Sequence, residues 1–313
     1  MAAGAFEDDP LTLVDVGCAL GIEQHWRAFP LRARAIDPMI GEIERLRALE
    51  TDPNVEYVAG FIKQPGFPSV AEREQNSSNT AFRRSSSYAQ TLKASREGTE
   101  AYNAWQDTRH SEVEVTLDEF AVPLGRVDFV KTDTDGGDLE VLHSGSKMLK
   151  SVLGVHVETI LGSSSHPLSN SRSNIDQYLV GQGFALFDEQ IYRYSRAALP
   201  DRFLYKIPAQ TNRGQVIWSQ CLYLRDMVAN LDAWPDGAVR KMVGIFELFE
   251  LNDCAAELIE LRPGAIAEFV EPQAALDLLT KEWLPEFESH AALKTAFDED
   301  ASALYPLSPA RAE

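Results

Sequence analysis

The sequence predicts an α/β fold: a doubly wound, mostly parallel sheet followed by a stretch that is helical alone. Three observations carry that reading. Leu11 to Val16 is a short apolar, β-branched run closed by Gly17, the pattern of a strand buried on both faces rather than one alternating between core and water. The first sixty residues then alternate strand, helix, strand, helix, strand, which calls for parallel pairing through right-handed crossovers. From Arg225 onward strand signals stop and apolar residues recur at helical spacing.

After the opening strand, Gly17 and Gly21 supply a turn in which backbone can approach a ligand with no Cβ in the way, and Gly21 to Phe29 has the composition of a short helix. Arg34 to Asp37 is a second strand, ending in a carboxylate placed where an acid accepts hydrogen bonds from two ribose hydroxyls. Gly41 to Glu50 is a helix, with Ile43, Leu46 and Leu49 three apart, broken by Asp52-Pro53-Asn54. Val55 to Ala59 is the third strand. Residues 63–110 are irregular, with Pro65-Gly-Phe-Pro68, Asn76-Ser-Ser-Asn79 and Ser85-Ser-Ser-Tyr88. A loop this long within a compact α/β domain is either a lid over a substrate, with Tyr88 as its aromatic contact, or a simple surface loop.

Val113 to Thr116 is a short strand running into a helix at Leu117-Asp-Glu-Phe120, whose start Thr116 and Glu119 can cap reciprocally. Val127 to Gly136 is the second informative stretch. Its period of two puts Val127, Phe129, Lys131 and Asp133 on one face, so charge gathers at the C-terminal end of a strand, where it is costly unless paired or functional. Asp138 to Leu149 reads as a helix. Val152 to Ile160 is a further strand with His156 and Glu158 on one face. Ser163 to Ser173 is a polar loop, Ile175 to Val180 a helix, and Phe184 to Tyr194 and Val216 to Leu224 the last strands. Helices then follow at Ala238 to Leu251, Cys254 to Leu261, Ala265 to Val270 and Gln273 to Trp283, with a loose tail from Leu304. This gives a sheet domain over 1–225 and a helical extension over 226–313, the latter a surface for packing on the sheet domain or on a second subunit.

Composition narrows the function. Of 313 residues 44% are hydrophobic, ample for a core, and no run approaches the roughly 18 to 20 apolar residues that span a bilayer. Met1 to Pro10 is acidic and lacks the regions of a signal peptide, and Cys18, Cys221 and Cys254 form neither a zinc knuckle nor a disulfide framework, so a reducing cytoplasm is expected. A formal charge of -19, from 48 acids and 29 bases, opposes binding to nucleic acid. The local basic concentrations are Arg83-Arg84 and the scatter Arg193, Arg196, Arg202, which read first as solvated loop charges and second as contacts to an anionic substrate group.

The glycine pattern Asp-x-Gly-x-x-x-Gly differs from the Gly-x-Gly-x-x-Gly that cradles a pyrophosphate, which favours a nucleoside ligand without phosphate, such as S-adenosylmethionine (SAM), over NAD. Val14-Asp-Val-Gly-Cys-Ala-Leu-Gly21, Ile36-Asp37-Pro38, Thr116-Leu-Asp-Glu-Phe120, Val127 to Gly136 with Asp138-Leu-Glu-Val-Leu142, and His156-Val-Glu158 together resemble the FkbM-type family of SAM-dependent O-methyltransferases, over about residues 10 to 225. Where the family shows Lys-Ile-Asp-Val-Glu-Gly, this chain has Lys131-Thr-Asp-Thr-Asp-Gly136, which shortens the second acid by one methylene.

The resemblance implies a class I methyltransferase fold with seven strands, the last antiparallel, and an alcohol acceptor on a sugar or other small molecule. It assigns Asp37 to the ribose, Gly17, Cys18 and Gly21 to close backbone contact with the cofactor, and Asp15 to its methionine end. Asp133 is the first candidate for contacting the acceptor or acting as base, against a structural ion pair with Lys131, and His156 is the second candidate base, against a satisfied core histidine. Lys131, Asp135, Glu158 and Tyr88 are candidate substrate contacts. No metal site is expected. Asp133, Asp135 and Glu158 are nonetheless the oxygen ligands that a magnesium ion would use. Two readings from other classes compete: a nicotinamide-dependent oxidoreductase, which would share the sheet and Asp37, and a non-catalytic binding or assembly protein built on the same fold.

Overall fold

The computed structural model describes residues 4–74, 109–161, 166–194 and 213–304. Tyr88, the Arg83-Arg84 pair, Arg196, Arg202 and most of the expected lid lie outside them. The chain forms two compact units, Leu11–Asp226 and a second made of Met1–Pro10 with Met227–Glu313. The first ten residues thus belong with the helical unit, whereas the sequence reading put them with the sheet.

In the larger unit the strands are β1 (Leu11–Val16), β2 (Leu31–Asp37), β3 (Val55–Ala59), β4 (Phe61–Ile62), β5 (Glu114–Val115), β6 (Phe129–Thr132), β7 (Gly154–Ile160), β8 (Ala185–Tyr194) and β9 (Gln215–Leu224). Seven form one sheet in the order β3-β2-β1-β6-β7-β9-β8, and β4 pairs with β5. Strands β3, β2, β1, β6 and β7 pair in parallel, while β9 runs antiparallel to both of its neighbours. This is the seven-stranded class I methyltransferase arrangement. All six residues of β1 are buried, which is why the run contains no alternation. The order reverses between β1 and β6, and such a switch point opens a crevice at the carboxyl ends of the strands.

The helices of this unit are α1 (Ile40–Leu49), α2 (Val70–Glu74), α3 (Leu117–Ala121), α4 (Asp138–Ser144) and α5 (Arg172–Gly181). The capping box forms as read: Glu119 N donates to Thr116 Oγ1 at 3.2 Å, and Thr116 N to Glu119 Oε2 at 2.9 Å. Leu49 departs from its expected burial and is 64% exposed. A spacing of three drifts about 60° per step on a helix of 3.6 residues per turn, so the third member leaves the buried face. The expected helix after β1 is also absent: Gln24–Ala28 makes a single 3-10 turn, with Trp26 buried and its ring 4.7 Å from that of Phe129.

The second unit contains α6 (Asp236–Leu248), α7 (Asn252–Leu261), α8 (Pro272–Trp283) and α9 (His290–Leu304). Ala265 to Val270, expected to be helical, is instead a run of turns that follows the 3-10 turn Pro263–Ala265. Helix α9 was not anticipated. Lys241 on α6 is buried, with Nζ 2.6 Å from Asp9 Oδ1 and donating to the Pro10 carbonyl at 2.9 Å, which ties the N-terminal segment to this unit. Among the described residues no helix is long and apolar enough to cross a membrane.

Candidate functional site

The crevice is built from the turn that follows β1. Gly17 and Cys18 both donate their amides to the Ile36 carbonyl, at 2.9 and 3.4 Å, and Gly21 donates to Cys18 O at 2.9 Å. Leu20 has φ 75° and Gly21 φ 90°, so the chain turns back where a helix was expected. Leu20 N donates to Glu42 Oε1 at 2.9 Å, and Ile22 N to the Tyr57 hydroxyl at 3.3 Å. The Ala19 amide favours the charged form of the Asp37 carboxylate. The amides of Gly17, Cys18, Leu20, Gly21 and Ile22 are therefore satisfied within the protein.

Asp37 ends β2 and is 6% exposed. Burial raises its pKa, opposed by the amides of Met39, 2.9 Å from Oδ1, and Ala19. A cavity of about 480 Å³ opens beside it. Val16, Ile36, Ile62 and Val141 give it apolar walls, and Asp37, Asp133, Asp135 and Glu140 line it with carboxylates, against the single lysine Lys63. The backbone of Gly17 and Gly60 also borders it. A larger cavity of about 640 Å³ lies within the helical unit, lined by Trp283, Leu284 and the Glu260, His290 and Lys294 side chains. Lys294 lies 2.7 Å and His290 3.2 Å from Glu260 there. The smaller cavity, at the switch point and bordered by the ends of β1 and β2, is the candidate site.

Beneath the cavity, strand register sets Asp15, Lys131 and His156 in one row across β1, β6 and β7. Lys131 Nζ lies 3.2 Å from Asp15 Oδ1 and 3.9 Å from Asp133 Oδ2, and it donates to the Gly17 carbonyl at 3.2 Å. Burial pushes Asp15 up to about 6 against the opposing pull of Lys131. Burial also works against the Lys131 charge, yet Asp15 and Asp133 outweigh it and keep the ammonium form. Asp133 borders the cavity. Burial raises its pKa, Lys131 lowers it, and Gln220 Nε2 lies 3.4 Å from its Oδ2.

The turn beyond β6 is held by Asp138, which is fully buried and accepts from Thr132 Oγ1 at 2.8 Å, Thr134 N at 3.0 Å and Asn170 Nδ2 at 2.9 Å. These bonds leave Asp135 exposed at φ 51°. Glu158, on β7, is driven up to about 9 by burial and then by Asp138, Asp133 and Asp135, so it carries a proton at neutral pH. Burial, Lys131 and His25 lower His156 to about 4, which leaves a neutral and weakly basic imidazole.

The structure thus brings Gly17, Asp37, Asp133 and Asp135 around one cavity, with Asp15 and Lys131 paired below it. Glu158 and His156 stand on the neighbouring strand and do not border the cavity. Cys18 is fully buried, and burial holds its thiol well above the ordinary range. Gly21 shapes the turn: a Cβ there would meet Leu46 Cδ2 at 3.1 Å. Among the described residues no group of three or more His, Cys, Asp or Glu side chains is placed to hold a metal ion. Sequence reasoning missed the Gly60 to Lys63 wall, although Phe61, two residues past the third strand, was its visible signal, and it missed Glu140 and the buried Arg73.

No family model matches the sequence, and no curated protein matches it. Among solved structures, the chain is similar to magnesium protoporphyrin IX methyltransferase from Synechocystis PCC 6803 with bound SAM, at 9% identity and TM-score 0.32, covering 69% of this chain and 70% of that one. It is similar to a SAM-dependent methyltransferase from Anabaena variabilis, at 10% identity and TM-score 0.30, covering 69% and 77%. A glycopeptide N-methyltransferase complexed with SAM gives 7% identity and TM-score 0.30 over 70% and 84%. Likenesses this low carry no weight for ligand or reaction, which rest on the residues of this chain.

Proposed function

We propose that this chain is a SAM-dependent methyltransferase of the FkbM type, transferring a methyl group to a hydroxyl of a small molecule, sugar or glycan. The observation that carries the proposal is the turn after β1. The amides of Gly17, Cys18, Leu20, Gly21 and Ile22 are occupied, and the helix whose N-terminus would face a pyrophosphate is replaced by a 3-10 turn, while Asp37 borders the cavity beside it. An adenine nucleoside fits that arrangement, and a dinucleotide loses its phosphate cradle. The excess of carboxylates on the cavity wall favours a ligand bearing a sulfonium and an ammonium over one bearing phosphates.

Asp37 would hold the ribose hydroxyls, and the Gly60 to Ile62 backbone and apolar walls would enclose the base. The cofactor, when bound, supplies an electrophilic methyl group open to in-line displacement. Asp133 orients the acceptor hydroxyl and receives its proton at the carboxylate, held in place by Lys131 and Gln220. His156, with its pKa near 4, is the weaker choice of base.

Thermal-shift and calorimetric titration with SAM, S-adenosylhomocysteine and NAD test the reading. SAM and S-adenosylhomocysteine at a hundredfold excess over Kd should stabilise the protein by about 2.7 kcal/mol, and NAD should not. Asp37→Ala should weaken SAM binding about 100-fold or more, since two hydrogen bonds to a charged acceptor disappear. Asp133→Asn should retain SAM affinity and lower transfer of label from SAM into a metabolite extract by roughly 10² to 10⁴-fold. Unchanged SAM affinity in Asp37→Ala would remove the ribose assignment, and protection by NAD alone would replace the reading with an oxidoreductase.

A further inference from the structure

Arg73 lies in the charged stretch Glu72-Arg-Glu74, inside the segment that reads as an irregular loop, yet its side chain has 0% exposure. Its fork reaches several parts of the larger unit. Nε donates to the Pro68 carbonyl at 2.9 Å, while Nη1 donates to the carbonyls of Gly136 and Leu168, both at 3.3 Å. Nη2 is 3.6 Å from Glu140 Oε2, and the guanidinium lies over the Phe67 ring at 5.2 Å.

The carbonyls it joins have functional neighbours. Gly136 directly follows Asp135 in the turn that carries Asp133, and Glu140 borders the cavity. Leu168 belongs to the loop whose Asn170 donates to Asp138 and accepts from Leu139 N at 2.8 Å. Lys63 and Val70, in the segment leading to Arg73, form part of the same cavity wall. Burying a guanidinium costs several kcal/mol unless its donors are matched, and an apolar side chain of equal volume would fill the space without that cost. Spanning separate carbonyls with one fixed fork is something only arginine does, because a lysine presents a single point charge.

We propose that Arg73 is a positioning residue that fixes the Asp133 to Gly137 turn against the 63–74 segment and thereby sets Asp133 at the acceptor. The inference rests on the methyltransferase reading for its functional half, and its structural half stands on the turn itself. Asp133 N donates to Val16 O at 2.9 Å and Thr134 N to Asp138, so both amides report the order of the turn. With the fork removed, the turn loosens and Asp133 loses its fixed geometry, while Asp37 and the nucleoside wall remain.

The test uses the full chain, with Arg73→Lys and Arg73→Met compared by amide hydrogen exchange, SAM titration and transfer of methyl-labelled SAM into a metabolite extract at saturating SAM. Arg73→Lys keeps a charge beside Glu140 and guards against a failure to fold. The expected result is exchange at least 10-fold faster at Asp133 and Thr134 in Arg73→Lys with the β8–β9 pairing unaffected. SAM affinity should stay within about 3-fold of wild type and transfer should fall at least 10-fold, further in Arg73→Met. Unchanged exchange in the turn overturns the inference whatever the reaction proves to be. Faster exchange with wild-type transfer at saturating SAM overturns its functional half. Failure of the wild-type protein to bind SAM defeats the methyltransferase reading instead, and the exchange result still decides the tie.

Discussion

Gly17→Ala is expected to lower the melting temperature of the sheet unit by about 10 °C and to abolish SAM binding. Two effects combine at this residue. Its φ of 79° lies in the left-handed region, where a Cβ costs about 1–2 kcal/mol. That Cβ would also run into the carbonyl group of Asp133, which is backbone and has no rotamer with which to move aside. Strands β1 and β6 must then part at their carboxyl ends, losing the Asp133 N to Val16 O bond of 2.9 Å and straining the bond that Lys131 Nζ donates to the Gly17 carbonyl. Overpacking of this kind costs about 1–3 kcal/mol and the bond about 1 more, roughly 4 kcal/mol together. For a unit of this size each kcal/mol shifts the midpoint about 2–4 °C. Gly66→Ala is the control, because Gly66 has nearly the same φ, 77°, with nothing within 4 Å of an added Cβ. It should cost only the left-handed strain. Melting curves for the two variants that coincide would show that close approach of β1 and β6 is unimportant.

The same residue illustrates what could be read from sequence. A buried β-branched run ending in glycine was enough to identify β1, because a strand covered on both faces leaves a contiguous apolar signal. Period two likewise placed Lys131 with Asp133 and His156 with Glu158, and strand register then aligned Asp15, Lys131 and His156 in one row. What could not be read is how strongly these groups meet. Pairing across strands depends on register between segments over a hundred residues apart, and nothing local encodes it.

Segments that lack such a pattern were misread for physical reasons. Gly21 to Phe29 has helical composition, but the positive φ of Leu20 and Gly21 redirects the chain, and burial of Trp26 against Phe129 outweighs local propensity. Arg73 is invisible in the sequence because it sits in the 63–110 stretch, which shows no period that would bury any one residue. Its burial follows from carbonyls contributed by Gly136 and Leu168, residues far away in the chain. The candidate site was legible where it depended on strand ends, as at Asp37 and Asp133, and illegible where it depended on the walls that loops supply.

Glu158→Gln should remove most of the pH dependence of stability between about pH 6.5 and 8.5. Burial and three nearby carboxylates raise the Glu158 pKa to about 9, whereas an unfolded chain titrates near 4.5. Between those values the folded state holds a proton that the unfolded state has released, so stability falls as pH rises; the contribution is complete below about 4.5 and lost above about 9. Asp15 and Asp138, each raised to about 6, act in the same direction, but only below that pH. His156, lowered to about 4, acts oppositely, costing stability as pH drops below its ordinary 6.5. Of these four groups, Glu158 alone titrates differently in the two states across the upper window. The wild-type slope there can reach about 1.4 kcal/mol per pH unit for one proton. A glutamine keeps the shape and a donor but cannot ionise, so the variant should melt at nearly constant temperature over this window and above wild type at pH 8.5. Melting series for the two proteins at half-unit pH intervals decide the matter, since parallel slopes would mean that Glu158 is already ionised at neutral pH. A protonated Glu158 beside Asp133 also leaves Asp133 as the carboxylate free to accept a proton, so the variant should lose little transfer activity where Asp133→Asn loses most of it.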